Sequence, residues 1–317
     1  MAARGRGTAR KGMIHLPDHN VILLKELTRR IGGEEPVLEP VDLRIADSDE
    51  VRFRLLCNPD AAPGIVFVTA TLSCWPQLVA HGAEEVLAEA YGDLLSPDAP
   101  DGEAANVVIR MDTAALPAPG AEVAMLVASL KRRALGAPMH RAFRALETGE
   151  GAAPMAHIPY RRSEAYWVTS KPGAVSVAFS LQMGDPAEAA MARVFAQEFV
   201  EAQRHVNNAP AVLFSPEPAG ELASAGIDVP DSELFVGFLT FTCQKSHIEG
   251  ARLEKVVGQL SNFRSYTDYH IKAAKTYLHM RMRDRVNKLL QVLNRAVPPP
   301  FEVKEKKLAS GKRFTRK

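Results

Sequence analysis

The stretch ARLEKVVGQLSNFRSYTDYHIKAAKTYLHMRMRDRVNKLLQVLNRAV, residues 251–297, decides how the rest of the chain is read. From Gln259 to Val297 it holds no Gly and no Pro. The first stop is Pro298-Pro299-Pro300, through which no helix runs. Leu253, Val256, Val257, Leu260 and Phe263, then Ile271, Ala274, Leu278, Val286, Leu289, Leu290 and Leu293, recur mostly in steps of three and four. That is the pattern of one apolar stripe on an α-helix. The Gly- and Pro-free part alone spans roughly 58 Å as a helix, against roughly 30 Å for a small domain. The spacing therefore predicts a helix that projects beyond its own domain or packs along a second body.

The other face of this helix reads as basic. Arg252, Lys255, Arg264, Lys272, Lys275, Arg281, Arg283, Arg285, Lys288 and Arg295 are opposed only by Glu254, Asp268 and Asp284. With the tail after the prolines, residues 251–317 carry a net charge of +12, and residues 1–250 a net −10. The overall +2 hides this dipole. Such a field steers the basic end toward an acidic partner: an actin filament, nucleic acid, an anionic membrane or an acidic protein. A solvated helix face with a basic tail is the bland alternative.

Upstream, the pattern is that of a mixed α/β chain. A length of 317 residues suggests two domains, and the 46% apolar and 24% charged content is that of ordinary globular proteins. Helices are expected over Val21–Ile31, Trp75–Tyr91, Ala121–Leu146 (broken near Gly136 and Pro138) and Ala187–Arg204. Strands are expected over Val41–Ile45, Val51–Leu55, Ile65–Leu72, Asn106–Met111, His157–Tyr160, Ala165–Ser170, Val175–Leu181, Ala211–Ser215 and Phe235–Cys243. The β-branched run IVFVTATL at 65–72 reads as a central strand. Residues 148–154, TGEGAAP, mark a boundary. Beyond it the same order of strands, helix, strand and helix returns. The expected organisation is a basic disordered extension (1–19), a first α/β domain (20–150), a second (151–250), the long helix (251–297) and a basic tail (298–317). The two domains are expected to be similar, each with a mainly antiparallel sheet and flanking helices.

Little in the chain points to chemistry. There is no GxxxxGK phosphate loop, no GxGxxG before a helix and no GxSxG elbow. His15 and His19 are separated by Pro17 in a segment without helical pattern, and His270 and His279 lie nine positions apart; neither pair makes a metal site. Glu198 and Glu201 read as solvated helix carboxylates. The three dispersed cysteines, Cys57, Cys74 and Cys243, exclude a disulfide scaffold and fit a reducing compartment. No run is long and apolar enough for a membrane span. The basic start, MAARGRGTARKG, lacks acids as a mitochondrial-type transit peptide does, but it has almost no apolar residues to make a stripe and is read in preference as a disordered extension. No catalytic residue, metal or cofactor is expected.

Several segments, in order along the chain, resemble the family of the 34-kDa subunit, subunit 2, of the actin-related protein 2/3 complex. They are VILLKELTRRI (21–31), AHGAEEVLAEAYGDLL (80–95), MLVASLKRRA (125–134), VFAQEFVEAQRHVNNAPAVLFS (194–215), GFLTF (237–241), NFRSYTDYHIKAAKTYLHMRMRDRVNKLLQVLNRA (262–296) and SGKRF (310–314). The resemblance implies two α/β domains of similar topology followed by a long C-terminal helix, in a cytoplasmic, non-enzymatic subunit of the actin cytoskeleton. It implies that the helix packs on its counterpart in the 20-kDa subunit 4, with Leu260, Phe263, Ile271, Leu278, Leu289 and Leu293 as partner-facing residues. It also implies contact with the two actin-related subunits and the rest of the assembly, which branches new filaments from a mother actin filament. Lys272, Lys275, Arg281, Arg283, Lys288 and Arg295 are the expected filament contacts. The chain departs from the family pattern in its N-terminal extension, at 244–255 and at 297–307. A nucleic-acid-binding protein using the basic helix and tail is the alternative. Its aromatics on the helix, Phe263, Tyr266, Tyr269 and Tyr277, are spaced for packing rather than as a stacking platform. A peripheral membrane protein is a third reading.

Overall fold

The computed structural model describes residues 16–33 and 37–294. It divides into two compact units, Met1–Ile271 and Lys272–Lys317. The first holds two antiparallel sheets. Asn20 caps the first helix, α1 (Val21–Ile31), its side-chain oxygen accepting from the Leu23 N–H at 2.8 Å. The strands β1 (Val41–Ala46), β2 (Arg52–Cys57) and β3 (Ile65–Thr71) make a meander. Helices α2 (Trp75–Ala80) and α3 (Ala83–Tyr91) follow, and β4 (Val107–Asp112) returns antiparallel beside β3. The apolar run at 65–71 thus lies inside the sheet, where both faces are covered. Then come α4 (Gly120–Ala128) and α5 (Leu130–Thr148).

The second sheet repeats the scheme with one strand added. β5 (Ala156–Arg161), β6 (Glu164–Lys171) and β7 (Ala174–Gln182) form the meander, and α6 (Pro186–Gln203) follows, capped by Asp185. After β8 (Ala211–Ser215) and the short α7 (Gly220–Ser224), β9 (Phe235–Gln244) inserts between β7 and β8. In each sheet, then, a strand arriving after the helix pairs antiparallel with the third strand of the meander. The chain closes with α8 (Lys245–Ile248), α9 (Arg252–Ser261) and α10 (Phe263–Asn294). This is the expected mixed α/β architecture with a long C-terminal helix.

One contiguous apolar core joins the sheets, and α5 lies within it: Leu130, Ala134, Leu135, Met139 and Phe143 share it with Leu55, Val68, Ile158 and Phe179. Pro138 lacks the N–H that would bond the Ala134 carbonyl. The adjacent Leu135 carbonyl accepts from the buried Tyr166 hydroxyl at 2.5 Å, which ties α5 to β6. The far face of the second sheet carries a separate cluster, with Leu222 of α7 packed on Trp167, Phe235 and Phe238. Apolar cover on both faces explains the near-continuous hydrophobic runs of β6, β7 and β9.

Three helices are shorter than the sequence pattern predicts. The 75–91 helix divides where Gly82 adopts φ 94°. The 121–146 helix breaks at Ser129 rather than at Gly136 or Pro138, because the Ala128 carbonyl accepts from the Asn20 N–H at 2.9 Å and leaves the helical ladder. The 251–297 helix breaks at Ser261–Asn262. There the Gly258 carbonyl is shared between the Ser261 hydroxyl at 3.2 Å and the Asn262 N–H at 3.3 Å. The loop expected over 216–231 contains α7. Residues 16–19 of the N-terminal extension are bonded to the body: Arg132 pairs with Asp18 at 2.7 Å. Residues 1–15 and the tail 298–317 lie outside the described residues.

Helices α1 and α4 meet at Gly120, where a Cβ would come within 1.5 Å of the Ile31 carbonyl oxygen. Gly120→Ala is expected to force α1 away from α4 and lower stability by about 3 kcal/mol, as measured by urea unfolding.

Candidate functional site

The root of α10 is fixed by charge. Arg264 is 4% exposed. Its Nε donates to both oxygens of Glu164, at 2.7 and 2.8 Å, and its Nη2 to the Gln182 carbonyl at 2.8 Å. Its Nη1 pairs with Asp268 one turn on. The Gln182 N–H donates to Glu164 at 2.7 Å. Arg161, at the end of β5, donates to Asp268 at 3.2 Å and to Asp49 at 2.6 Å. Asp49 stands at the tip of the β1–β2 hairpin and also pairs with Lys131 of α5 at 2.8 Å. Lys131 reaches Asp47 at 3.2 Å, and Asn20 of the α1 cap donates to Asp47 at 2.7 Å.

This single network of alternating charge joins α1, the β1–β2 hairpin, α5, the β5–β6 turn, the end of β7 and α10. Burial works to raise the Asp49 carboxyl, but the Lys131 and Arg161 charges outweigh it and hold its pKa below the ordinary aspartate value. At Glu164 burial wins, and the pKa is raised despite Arg264 and the Gln182 N–H. Burial opposes the Arg161 charge, but Asp49 and Glu164 more than compensate and keep it firmly protonated.

The second unit, from Lys272, is helical through Asn294. Its side chains are exposed from Thr276 to Leu293. Leu278, Met282, Val286, Leu289 and Leu293 fall within an arc of about 80° at 3.6 residues per turn. Lys272 and Arg283 lie on one flank of that arc; Arg281 and Lys288 lie on the other. These four basic residues therefore border the apolar stripe rather than oppose it, and Lys275 falls within its arc. The opposite side carries Met280, Asp284, Asn287 and Gln291, so the two-faced helix expected from composition is a three-part surface.

The structure places the anticipated partner-facing residues in two sets. Leu260, Phe263 and Ile271 are buried in the chain's own core, Ile271 at 2% exposure. Phe263 packs among Phe179, Phe199 and Phe241, with ring centres 5.0–5.8 Å away. Leu278, Leu289 and Leu293 are exposed, Leu289 by 57%. Among the basic residues, Arg281 donates to the Tyr277 hydroxyl at 3.0 Å and lies over its ring, and Lys288 pairs with Asp284 at 2.7 Å. Lys275 is engaged within the structure. Among the described residues, Lys272 and Arg283 have no side-chain ion pair or hydrogen bond, and Arg295 lies outside them. Sequence reasoning missed Asp49, Lys131, Arg161 and Glu164, because no local pattern links a hairpin tip to a helix more than two hundred positions away.

Among the described residues, nothing else assembles a site for chemistry. A groove of about 530 Å³ between α3 and α5 is lined by charges of both signs, among them Glu85, Glu89, Arg141 and Arg144. Glu201 pairs with Arg204 at 3.0 Å on the surface of α6. Among the described residues, no three His, Cys, Asp or Glu side chains are grouped to hold a metal ion, and no helix is long and apolar enough to cross a membrane.

The comparisons with known proteins agree with one another. A family model described as Arp2/3 complex, 34 kD subunit p34-Arc, matches residues 68–300. Actin-related protein 2/3 complex subunit 2 of Schizosaccharomyces pombe is 33% identical over 329 aligned positions, covering 96% of this chain and all of that protein. The protein of the same name from Dictyostelium discoideum is 30% identical over 303 positions, covering 95% of this chain and 99% of its own.

Asp49→Asn keeps a residue that tolerates the left-handed backbone but leaves Lys131 and Arg161 without their shared partner, at a cost of about 3 kcal/mol near neutral pH. Asp49 has a lowered native pKa, so its contribution is present above the unfolded value of 3.8 and is lost as pH falls through the native one. The stability gap between wild type and variant is therefore expected to stay constant from pH 7 to pH 5 and to close below pH 3.8. Glu164, with its pKa raised, acts in the opposite sense in both proteins. Urea midpoints across this pH range are the measurement.

Proposed function

We infer the role of this chain from one premise: it belongs to the family of the Arp2/3 complex 34 kD subunit, p34-Arc. It is a subunit of that actin-nucleating assembly of the cytoskeleton. Within it, our reading is of a non-catalytic scaffold that joins subunit 4 along α10 and contacts the mother filament beside that joint in the cytoplasm. The observation that carries this reading is the exposed stripe Leu278–Met282–Val286–Leu289–Leu293 with cationic flanks. Burying a large apolar side chain contributes about 1.5–3 kcal/mol, and a stripe of this length fits a partner helix. Leu278, Leu289 and Leu293 are assigned to that partner. Leu260, Phe263 and Ile271 serve the chain's own core. Family membership disfavours the nucleic-acid alternative.

Of the cationic residues, Lys272 and Arg283 are the best placed for the acidic filament. They share one flank, and their charges are uncommitted among the described residues. Arg281 and Lys288, engaged with Tyr277 and Asp284, serve the helix surface as well.

The double variant Val286→Gln/Leu289→Gln is expected to change the chain's own stability by less than about 0.5 kcal/mol. Recovery of subunit 4 in a co-expression pull-down should nonetheless collapse. Ile271→Ala should do the reverse, costing about 2–4 kcal/mol in the fold. Undiminished recovery of subunit 4 with the double variant would refute the scaffold reading. Charge reversal at Lys272 and Arg283 together should weaken filament co-sedimentation of the assembled complex about tenfold at low salt, the deficit narrowing as ionic strength rises.

A further inference from the structure

Hairpin tips ordinarily lie in solvent. At the tip of the β1–β2 hairpin Ser48 and Glu50 do, but the Asp49 side chain between them is 1% exposed, wedged between Lys131 and Arg161. Asp49 and Glu50 hold φ of 64° and 57°, two successive non-glycine residues in the left-handed region. A turn of this kind needs only Asn-Gly, which adopts it without strain or charge. Here each of the two carboxylates is used across the molecule. Asp49 takes Arg161, which also holds Asp268 of α10, and Glu50 accepts from the Arg162 N–H at 2.7 Å. The Ser48 hydroxyl lies 2.9 Å from that of Ser265, also on α10. The hairpin thus meets the first turns of α10 directly through Ser48 and indirectly through Arg161. Strained backbone persists only where its surroundings over-determine it, and the surroundings here are Lys131 of α5 and the β5–β6 turn at Arg161 and Arg162, which holds Asp268 at the root of the long helix.

We propose that the tip of this hairpin, residues 47–50, is the positioning element for the root of α10, with Ser48 and Asp49 transmitting the state of the first sheet to residues 263–271. Its consequence for actin rests on the reading of α10 given above; the positioning itself does not.

The test uses the full chain in the assembled complex and reads amide hydrogen exchange at 263–271 against two references, 65–71 and 235–244. In Asp49→Asn, at labelling times too short for global unfolding to expose either reference strand, exchange at 263–271 should rise about tenfold. In Ser265→Ala, which removes one exposed hydroxyl contact, the same residues should exchange about threefold faster. Filament co-sedimentation should fall in the same order. Equal acceleration in all three segments would reduce the hairpin to general stability and overturn the proposal, as would unchanged exchange at 263–271. Should Asp49→Asn fail to assemble, Ser265→Ala alone decides by the same criterion. A wild-type complex that does not bind filaments would overturn the filament reading and leave the exchange result to stand or fall separately.

Discussion

Moving a charged side chain out of water costs several kcal/mol, and a partner repays this only with good geometry and further hydrogen bonds. Arg264, Glu164 and Asp49 are all buried, so each must find its counter-charge or the fold loses more than a packed apolar side chain would have supplied. That requirement links Asp49 to Arg161, Arg161 to Asp268, and Arg264 to both Glu164 and the Gln182 carbonyl. Apolar contacts are tolerant of small shifts. Charge-assisted hydrogen bonds from a guanidinium to a carboxylate are directional. The network therefore specifies how the first turns of α10 seat among five other structural elements, where the aromatic cluster around Phe263 supplies contact area without that directional constraint.

The apolar core and the ionic network divide the work. Leu260, Phe263 and Ile271 bind the helix root by burial, and the charges choose its seating. Beyond Ile271 the intramolecular use of the apolar positions ends, and the same three–four periodicity continues on side chains that are exposed within this chain. The C-terminal helices α9 and α10 thus carry two apolar programmes between them. The first is satisfied by the chain itself. The second, in a member of a multi-subunit family, is available to another subunit.

Membership of the p34-Arc family gives the exposed half of α10 its context, and the flanking charges give it direction. Arg281 is held by a hydrogen bond and ring contact with Tyr277, and the Lys288 charge is paired with Asp284, whereas Lys272 and Arg283 project on the other flank. A cation already paired on its own helix gains less from a distant acidic surface than one whose field is unopposed. The helix therefore has an electrostatic handedness that its net charge conceals.

Local patterns carry far in this chain. The β-branched run at 65–71 and the three–four spacing of α10 each specify their element through interactions within a few residues, and so they are legible in the sequence alone. The charge dipole and the family resemblance are legible for the same reason: they are properties of the string. The break at Ser129 depends on Asn20 reaching the Ala128 carbonyl, and no window around Ser129 contains Asn20. The sorting of Ile271 into the core and Leu289 into solvent is equally invisible, since both occupy the same stripe with the same chemistry. Only the tertiary structure decides which turns of a helix meet the body. The charge network joining residues 49, 131, 161, 164, 264 and 268 is decided there too, because electrostatic pairing acts across space and leaves no periodicity along the chain.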